Sequence, residues 1–315
     1  MEGYTGNGTL GKVLNLTQTT AENFKDIIVN AKDMQFNSLE TLEIKNYPLA
    51  LRKSAKTQMC TRLGVPQSYL KKCPDYLQKS NLNYWLTNLG SKDLLVRLDG
   101  ENIRAIFTTK YQAINHPAIL QQLVRNYGEE QKVHYNFSDD ILTLSITNGK
   151  DFEVTAGDIL KPGVTVINSE TGYKAFSIEA FILRLLCTNG MISPVRVVHN
   201  RFRHIVSSFF DRLDISQLIN QVENEAVNIK VDLQKAVATP VNDVEDTFTK
   251  INKRFLLNKP ETEATQWGYE QEPGETMYNI INAYTKGAQY QDLTPESIFK
   301  LQSVGGAVTG LVRGY

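Results

Sequence analysis

Cysteine is scarce in this sequence. The 315 residues include three cysteines, and Cys60, Cys73 and Cys187 show neither close pairing nor the two-residue spacing of a redox or metal-binding pair. An odd, scattered set of this kind is typical of reduced thiols in a reducing compartment. We therefore do not expect a fold held together by disulfides.

Long apolar runs are also missing. No window of the sequence approaches the roughly 18 consecutive apolar residues of a membrane-spanning helix. The first residues, "MEGYTGNGTLGKVLNL", lack the basic start and the continuous apolar stretch of a secretory signal. We therefore expect a cytoplasmic protein that has no membrane partner.

The chain as a whole has no excess of positive or of negative charge, because 34 basic residues balance 34 acidic ones. Binding of nucleic acid through bulk positive charge is therefore not expected. The distribution along the chain is uneven. Residues 184–212 contain five arginines and one acid, whereas residues 214–246 contain seven acids and two lysines. This pattern predicts a locally basic surface beside an acidic one.

Signatures of catalysis are missing too: the chain has no Walker loop, no GxGxxG and no HExxH. Cys187, His199 and His204 are three candidate zinc ligands, but a structural zinc site needs four. Cys187 with either histidine as a base would need an exposed, electropositive setting. It instead ends an apolar segment, where a small buried hydrophobe is the usual role. We expect neither an enzyme nor a metal or cofactor.

The composition is that of a folded globular protein, with 41% hydrophobic and 22% charged residues. Two β-rich runs, "DLLVRL" and "IRAIFTT", are joined by Asp99-Gly100-Glu101-Asn102 and predict a hairpin. The segment 38–46 predicts a strand, and five strand-like segments between 132 and 178 are separated by turn residues. Together they predict a largely antiparallel sheet.

Apolar residues that recur every three to four positions predict the helices. The predicted helical segments are 20–34, several within 47–90, 116–128, 178–187, a long one at 203–237, and three more after Pro240. The stretch 258–275 is rich in Glu, Pro and Gly and predicts an exposed linker. The expected fold class is α+β, with a mostly antiparallel sheet, flanking helices and a helical C-terminal region. The expected domains are 1–200 and 201–315.

One stretch, "GVTVINSETGYKAFSIEAFILRLLCTNGM" followed by "RFRH", has two turn-like sites. Gly172 can supply a positive φ in the turn Asn168-Ser169-Glu170-Thr171-Gly172. The break at 187–191 is interpreted as the end of the helix predicted at 178–187, with Asn189 or Gly190 in the left-handed conformation.

These blocks, with "LNYWLTNLG", the hairpin and "KYQAIN" upstream, resemble a large family of phage- and plasmid-encoded proteins defined by a domain of unknown function. Lys110-Tyr111 stands where that family usually has Arg-Tyr, and the resemblance covers residues from about 50 to 215. The order of elements is also similar to that of the RecT/Erf-type single-strand annealing proteins of phages. This resemblance implies a mobile-element protein of a bacterial host, with single-stranded DNA as its partner.

The candidate contacts are basic and aromatic residues that would line a groove and hold phosphates and bases. The expected set is Arg97, Arg104, Lys110, Tyr111, Lys174, Arg184, Arg196, Arg201, Arg203 and His204, with further stacking faces from Tyr173, Phe176 and Phe202. The predicted function is non-enzymatic binding of single-stranded DNA by a homo-oligomer that anneals or recombines strands. The alternative is a protein-interaction factor, such as a scaffold or an inhibitor of a host defence enzyme. Zero net charge favours the alternative, and the basic segment favours DNA.

Overall fold

The structure is a computed structural model that describes residues 4–147, 151–185, 192–202, 215–291 and 293–312, with backbone alone for parts of 180–227 and 295–299. Within these ranges it contains helices and mainly antiparallel sheets, so the predicted α+β class and the helical C-terminal region are confirmed. Among the described helices, none is long and apolar enough to cross a membrane.

One sheet has the strand order β1-β8-β9-β11-β12-β13, and β10 pairs with β11. Its strands are β1 (Tyr4–Thr9), β8 (Lys132–Phe137), β9 (Leu142–Thr147), β10 (Phe152–Glu153), β11 (Ile159–Asn168), β12 (Phe176–Leu185) and β13 (Ile192–Phe202). The other sheet has the order β2-β6-β7-β5-β4-β3. Its strands are β2 (Phe24–Asn30), β3 (Met34–Phe36), β4 (Thr41–Ile44), β5 (Tyr47–Leu51), β6 (Asp93–Asp99) and β7 (Asn102–Thr108).

The helices fall into two groups along the chain. The first group is α1 (Leu10–Ala21), α2 (Lys53–Leu63), α3 (Gln67–Leu70), α4 (Asp75–Thr87) and α5 (His116–Tyr127). The second is α6 (Ile215–Ala238), α7 (Val244–Arg254), α8 (Lys259–Gln271), α9 (Met277–Gly287) and α10 (Pro295–Leu311).

The chain divides into two compact units that interleave along the sequence. Among the described residues, unit 1 contains 4–143, 167–176 and 202, and unit 2 contains 144–166, 177–201 and 215–312 within the stated gaps. The sequence instead predicts one boundary near residue 200. The difference arises because the chain leaves unit 1 after 143 and returns to it for the short segment 167–176.

The core of unit 1 lies where α2 and α4 pack on the six-stranded sheet. Leu42, Met59, Leu82, Val96 and Ile106 are fully buried there. The β6–β7 hairpin is confirmed, and Gly100 takes a positive φ of 56° in its turn. Both strands lie inside the sheet, flanked by β2 and β5. Side chains on β6 and β7 are therefore largely removed from solvent.

The helix predicted at 20–34 is wrong. The chain forms α1 earlier, with the Thr9 side chain accepting a hydrogen bond from Lys12 N, and then forms strand β2. Residues Phe24–Asn30 pair antiparallel with β6 over seven positions. The run Ile27-Ile28-Val29 is β-branched and packs well in a sheet, which outweighs its helix-like spacing. The first residues of the predicted helical cluster at 47–90 likewise form β5.

The helix predicted at 178–187 is also wrong, because β12 continues through Phe176–Leu185. A continuous apolar run bounded by turn residues is compatible with either a buried strand or a buried helix, and periodicity does not separate the two. The break at 187–191 lies outside the described residues. The helix that it was expected to end is a strand.

The exposed linker predicted at 258–275 is wrong as well. Helix α8 occupies Lys259–Gln271, and a capping box begins it: Glu261 N donates to the Asn258 side chain and Asn258 N donates to the Glu261 side chain. Pro260 lies in the first turn, where a proline does not disturb a helix. Asn258, Pro260 and Glu261 are of residue types that are typical of a linker, but in this segment they begin a helix.

The other helical predictions are confirmed where the structure describes them. Helix α5 follows Asn115, and Gly128 follows its last residue. The long helix is confirmed as Ile215–Ala238, whereas residues 203–214 lie outside the described residues. Helices α7, α9 and α10 lie where the apolar spacing predicts them.

Candidate nucleic-acid interface

The last residue of β11 and the start of its connection to β12 are four consecutive buried polar residues. Asn168, Ser169, Glu170 and Thr171 are each at most 1% exposed. Buried polar groups need hydrogen-bond partners, and burying a charge without a partner is costly. We call residues 168–174 the Glu170 loop, and its partners all come from unit 1.

Glu170 is the centre of this loop. Its carboxylate accepts hydrogen bonds from Arg104 Nη1 at 3.3 Å and from the backbone N of His116, in the first turn of α5, at 2.7 Å. Its backbone carbonyl accepts from Arg97 Nη1 at 2.9 Å and from the Tyr111 hydroxyl at 3.4 Å. Four donors from separate positions therefore fix a single residue.

The two arginines of the hairpin are buried rather than exposed. Arg97 on β6 is 3% exposed and binds Asp26 of β2 through two hydrogen bonds of 2.8 and 2.7 Å. Arg104 on β7 is 1% exposed and binds Asp139 as well as Glu170. The prediction that Arg97 and Arg104 line an open groove is therefore wrong. They lie on inner strands of the sheet and hold the Glu170 loop.

A second set of contacts attaches the loop to α2. Gln58 accepts a hydrogen bond from Ile106 N at 2.7 Å and donates one to the Thr171 carbonyl at 2.7 Å. The Thr171 hydroxyl donates to the Asp140 carboxylate at 3.0 Å, and Ser54 donates to the same carboxylate. The loop is therefore fixed through its backbone and its side chains.

His116 lies beside Glu170 and is fully buried. Its Nδ1 is 3.0 Å from the Asn168 amide nitrogen, which also donates to the Ile114 carbonyl. Because Nδ1 accepts, the hydrogen-bond network assigns the proton to Nε2, 4.0 Å from the Glu170 carboxylate. Burial lowers the pKa of His116 and favours the neutral ring.

The pKa of Glu170 is set by opposing effects. Burial alone raises the pKa of this carboxyl. The charge of His116 when its ring is protonated, the Arg104 guanidinium and the backbone N–H of His116 oppose burial, and the pKa lies below its ordinary value. Glu170 is therefore a carboxylate at neutral pH, which is the form that these donors require.

Gly172 allows the chain to turn against an aromatic stack. The Phe107 and Tyr111 rings are parallel, with centroids 3.6 Å apart. Gly172 has a φ of 75°, and a Cβ at this position would lie 2.7 Å from the Phe107 ring. Only glycine adopts this positive φ without strain and has no Cβ that would collide with the Phe107 ring.

The end of the Glu170 loop faces solvent. Tyr173 is 68% exposed, and its backbone N donates to the Ser169 hydroxyl at 2.9 Å. Lys174 is exposed, with its Nζ 6.0 Å from the Tyr173 ring centroid, and Lys110 is exposed next to Tyr111 in the chain. The loop therefore presents the aromatic ring of Tyr173 to solvent. Lys174 and Lys110 carry exposed ammonium groups.

The structure brings five of the ten predicted contact residues together, in two roles. Arg97, Arg104 and Tyr111 support the loop from inside, whereas Lys110 and Lys174 are exposed. Burial raises the pKa of Tyr111, and its ring is covered by Phe107, so the prediction of an open stacking face there is wrong. Phe176 is fully buried, and the same prediction for it is also wrong.

The remaining predicted contacts are placed by backbone alone or not at all. Arg184 lies on β12, and Arg196 and Arg201 lie on β13, in segments whose side chains are not described. Phe202, at the end of β13, has no described side chain either. Arg203, His204 and Cys187 lie outside the described residues, and His199 is placed by its backbone only.

Sequence reasoning misses the acids that bind the two arginines. Asp26 falls within the helix predicted at 20–34, and Asp139 falls in a turn between two predicted strands. Sequence reasoning also misses a run without acids: residues 44–74 contain seven basic residues and no acidic one. Counting charges in a sliding window finds that run.

No protein-family model matches the chain, and no curated protein and no solved structure matches it.

Proposed function

We propose that this protein binds single-stranded DNA without catalysing a reaction, and that the exposed end of the Glu170 loop contacts the strand. In this proposal Tyr173 stacks on an unpaired base, and Lys110 and Lys174 neutralise phosphates. The resemblance to phage- and plasmid-encoded proteins supports a role in strand annealing or recombination, by a homo-oligomer in a bacterial cytoplasm.

The observation that carries the proposal is the set of buried hydrogen bonds that holds the loop presenting Tyr173. Buried charges are expensive, and replacing a buried ion pair with apolar residues often does not destabilise a protein. A buried network that fixes the backbone of an exposed aromatic residue is therefore better explained by binding than by stability alone. A ring carried on a fixed backbone loses less conformational entropy when it stacks on a base, and such stacking contributes about 1–3 kcal/mol per base.

The test is fluorescence anisotropy of a labelled oligothymidylate with full-length protein. We expect Tyr173→Ala to weaken binding by about tenfold, which corresponds to one stacked base. Tyr173→Phe keeps the ring and is expected to bind like the unmodified protein. Tyr4→Ala removes another exposed tyrosine of unit 1, on β1, and serves as the matched control. Absence of binding at low salt, or equal affinity of Tyr173→Ala and Tyr4→Ala, would overturn the proposal.

A further inference from the structure

Helix α4 presents an unusual number of exposed aromatic residues. Tyr76 is 68% exposed, Tyr84 is 65% exposed and Trp85 is 42% exposed, whereas Leu82 and Leu86 on the same helix are buried. Leu77 and Tyr84 are seven residues apart and lie on one side of α4, whereas Tyr76 and Trp85 lie about 80–100° to either side of them around the helix axis. The four exposed side chains therefore cover about half of the helix circumference. We call Tyr76, Leu77, Tyr84 and Trp85, with the exposed Tyr69 of α3, the α4 surface.

The chain around the α4 surface is strongly basic. Residues 44–92 contain nine basic residues and one acid, Asp75. Three of the nine have partners within unit 1: Arg52 binds Asp99 and Asp139, Lys56 binds Glu40, and Arg62 donates to the Ile106 carbonyl.

The lysines closest in sequence to the exposed rings do not have such partners among the described residues. Lys71 and Lys72 lie between α3 and α4, and Lys79 lies on α4. All three are exposed, and none has an ion-pair partner within the described ranges. Their charge is therefore available to a ligand.

Exposed aromatic rings interleaved with unpaired lysines match the chemistry of a single nucleic-acid strand. Unpaired bases offer faces for stacking, and phosphates attract ammonium groups. A duplex hides its base faces inside the stack, so it would use the lysines and leave the rings without a role. Charge complementarity therefore favours an anionic partner, and the rings favour one with exposed bases.

We propose that the α4 surface is a second contact surface for single-stranded DNA, in which Tyr76, Tyr84 and Trp85 stack on bases and Lys71, Lys72 and Lys79 neutralise phosphates. The identity of the ligand rests on the proposed function, but the residues are different ones. Trp85 and Trp267 are the two tryptophans of the chain. Trp267 packs near Tyr290 in unit 2, so the conservative change Trp267→Phe makes Trp85 the single fluorescent reporter.

The experiment titrates the Trp267→Phe protein with unlabelled oligothymidylate and follows Trp85 emission. We expect strong quenching by the single strand, because stacking on a base quenches an indole, and little quenching by a duplex of equal length. Replacing Lys71, Lys72 and Lys79 together with glutamine is expected to lower the slope of log affinity against log salt by about 2, at ~0.7 per phosphate. The control replaces Lys250, Lys253 and Lys259, which are exposed lysines of unit 2, and should leave the slope unchanged.

The outcomes separate this inference from the proposed function. Binding that depends on Tyr173 without quenching of Trp85 would overturn the α4 surface and leave the proposed function standing. Quenching of Trp85 with no effect of Tyr173→Ala would support the α4 surface and overturn the role of the loop. Equal quenching by duplex and single strand, or no quenching and no binding at low salt, would overturn the α4 surface as a site for unpaired bases.

Discussion

Replacing Glu170 with glutamine is expected to lower the free energy of unfolding of unit 1 by about 3 kcal/mol. The substitution keeps the size of the side chain but removes the charge that faces Arg104, and both side chains are 2% exposed. Asp139 remains beside Arg104, yet the buried guanidinium loses one of its two carboxylate partners. A buried charge that loses a partner costs far more than an exposed one.

The measurement is urea unfolding followed through Trp85 fluorescence in the Trp267→Phe background, so that the signal comes from unit 1. Glu40→Gln is the matched control, because the exposed Glu40 forms its ion pair with Lys56 within the same unit. Its expected cost is at most about 0.5 kcal/mol. A loss for Glu170→Gln no larger than that of Glu40→Gln would show that the buried network does not stabilise unit 1.

The same carboxylate predicts a dependence on pH. The pKa of Glu170 in the folded protein lies below its ordinary value of 4.5. The stability that it contributes is therefore fully present above about pH 4.5 and is lost as the pH falls through the lower folded-state pKa. In the Glu170→Gln protein this part of the acid dependence should be missing, whereas Glu40→Gln should keep it.

Replacing Gly268 with alanine is expected to destabilise unit 2 by about 3 kcal/mol, at the upper end of the usual cost of overpacking. Gly268 on α8 faces the backbone of α9: a Cβ would lie 2.7 Å from Gly287 N and even closer to the Ala283 carbonyl oxygen. Backbone atoms of a packed helix pair have little room to move, so α8 and α9 would have to separate.

Thermal or urea unfolding followed through Trp267 fluorescence in a Trp85→Phe background reports on this unit. Gly310→Ala is the matched control, because Gly310 lies in α10 and a Cβ added there would have open space within 4 Å. Removing a glycine from a helix there is expected to stabilise by up to about 1 kcal/mol. If both substitutions changed stability in the same direction, close contact between α8 and α9 would not be the reason for Gly268.

The parts of the fold that the sequence predicts correctly carry their own local signals. The β6–β7 hairpin has a glycine turn between two β-rich runs, and α5 has a proline in its first turn and a glycine directly after its last residue. The errors at β2 and β12 have a different origin. Apolar residues at Ile27, Ile28 and along 176–185 fit either secondary structure, and their partner strands, distant in sequence, decide the outcome.

The candidate site shows the same limit. The sequence correctly draws attention to Arg97, Arg104 and the Asn-Ser-Glu-Thr-Gly turn, but arginine in a strand is expected at a surface, and the pairing with Asp26 and Glu170 depends on tertiary contacts. The basic run at residues 44–74 could be predicted from the sequence alone, because counting charges is enough to detect it. Residue types were thus predictable, whereas burial, and with it the role of each arginine, was not.

The proposed contact of Lys110 and of the exposed end of the Glu170 loop with phosphates predicts that binding depends on salt. The affinity for oligothymidylate should fall with salt, and Lys110→Gln combined with Lys174→Gln should make the slope of log affinity against log salt shallower by about 1.4, at ~0.7 per phosphate. The paired control is Lys250→Gln with Lys259→Gln in unit 2, where both lysines are exposed. A slope that Lys110→Gln with Lys174→Gln leaves unchanged, at unchanged affinity, would contradict this contact.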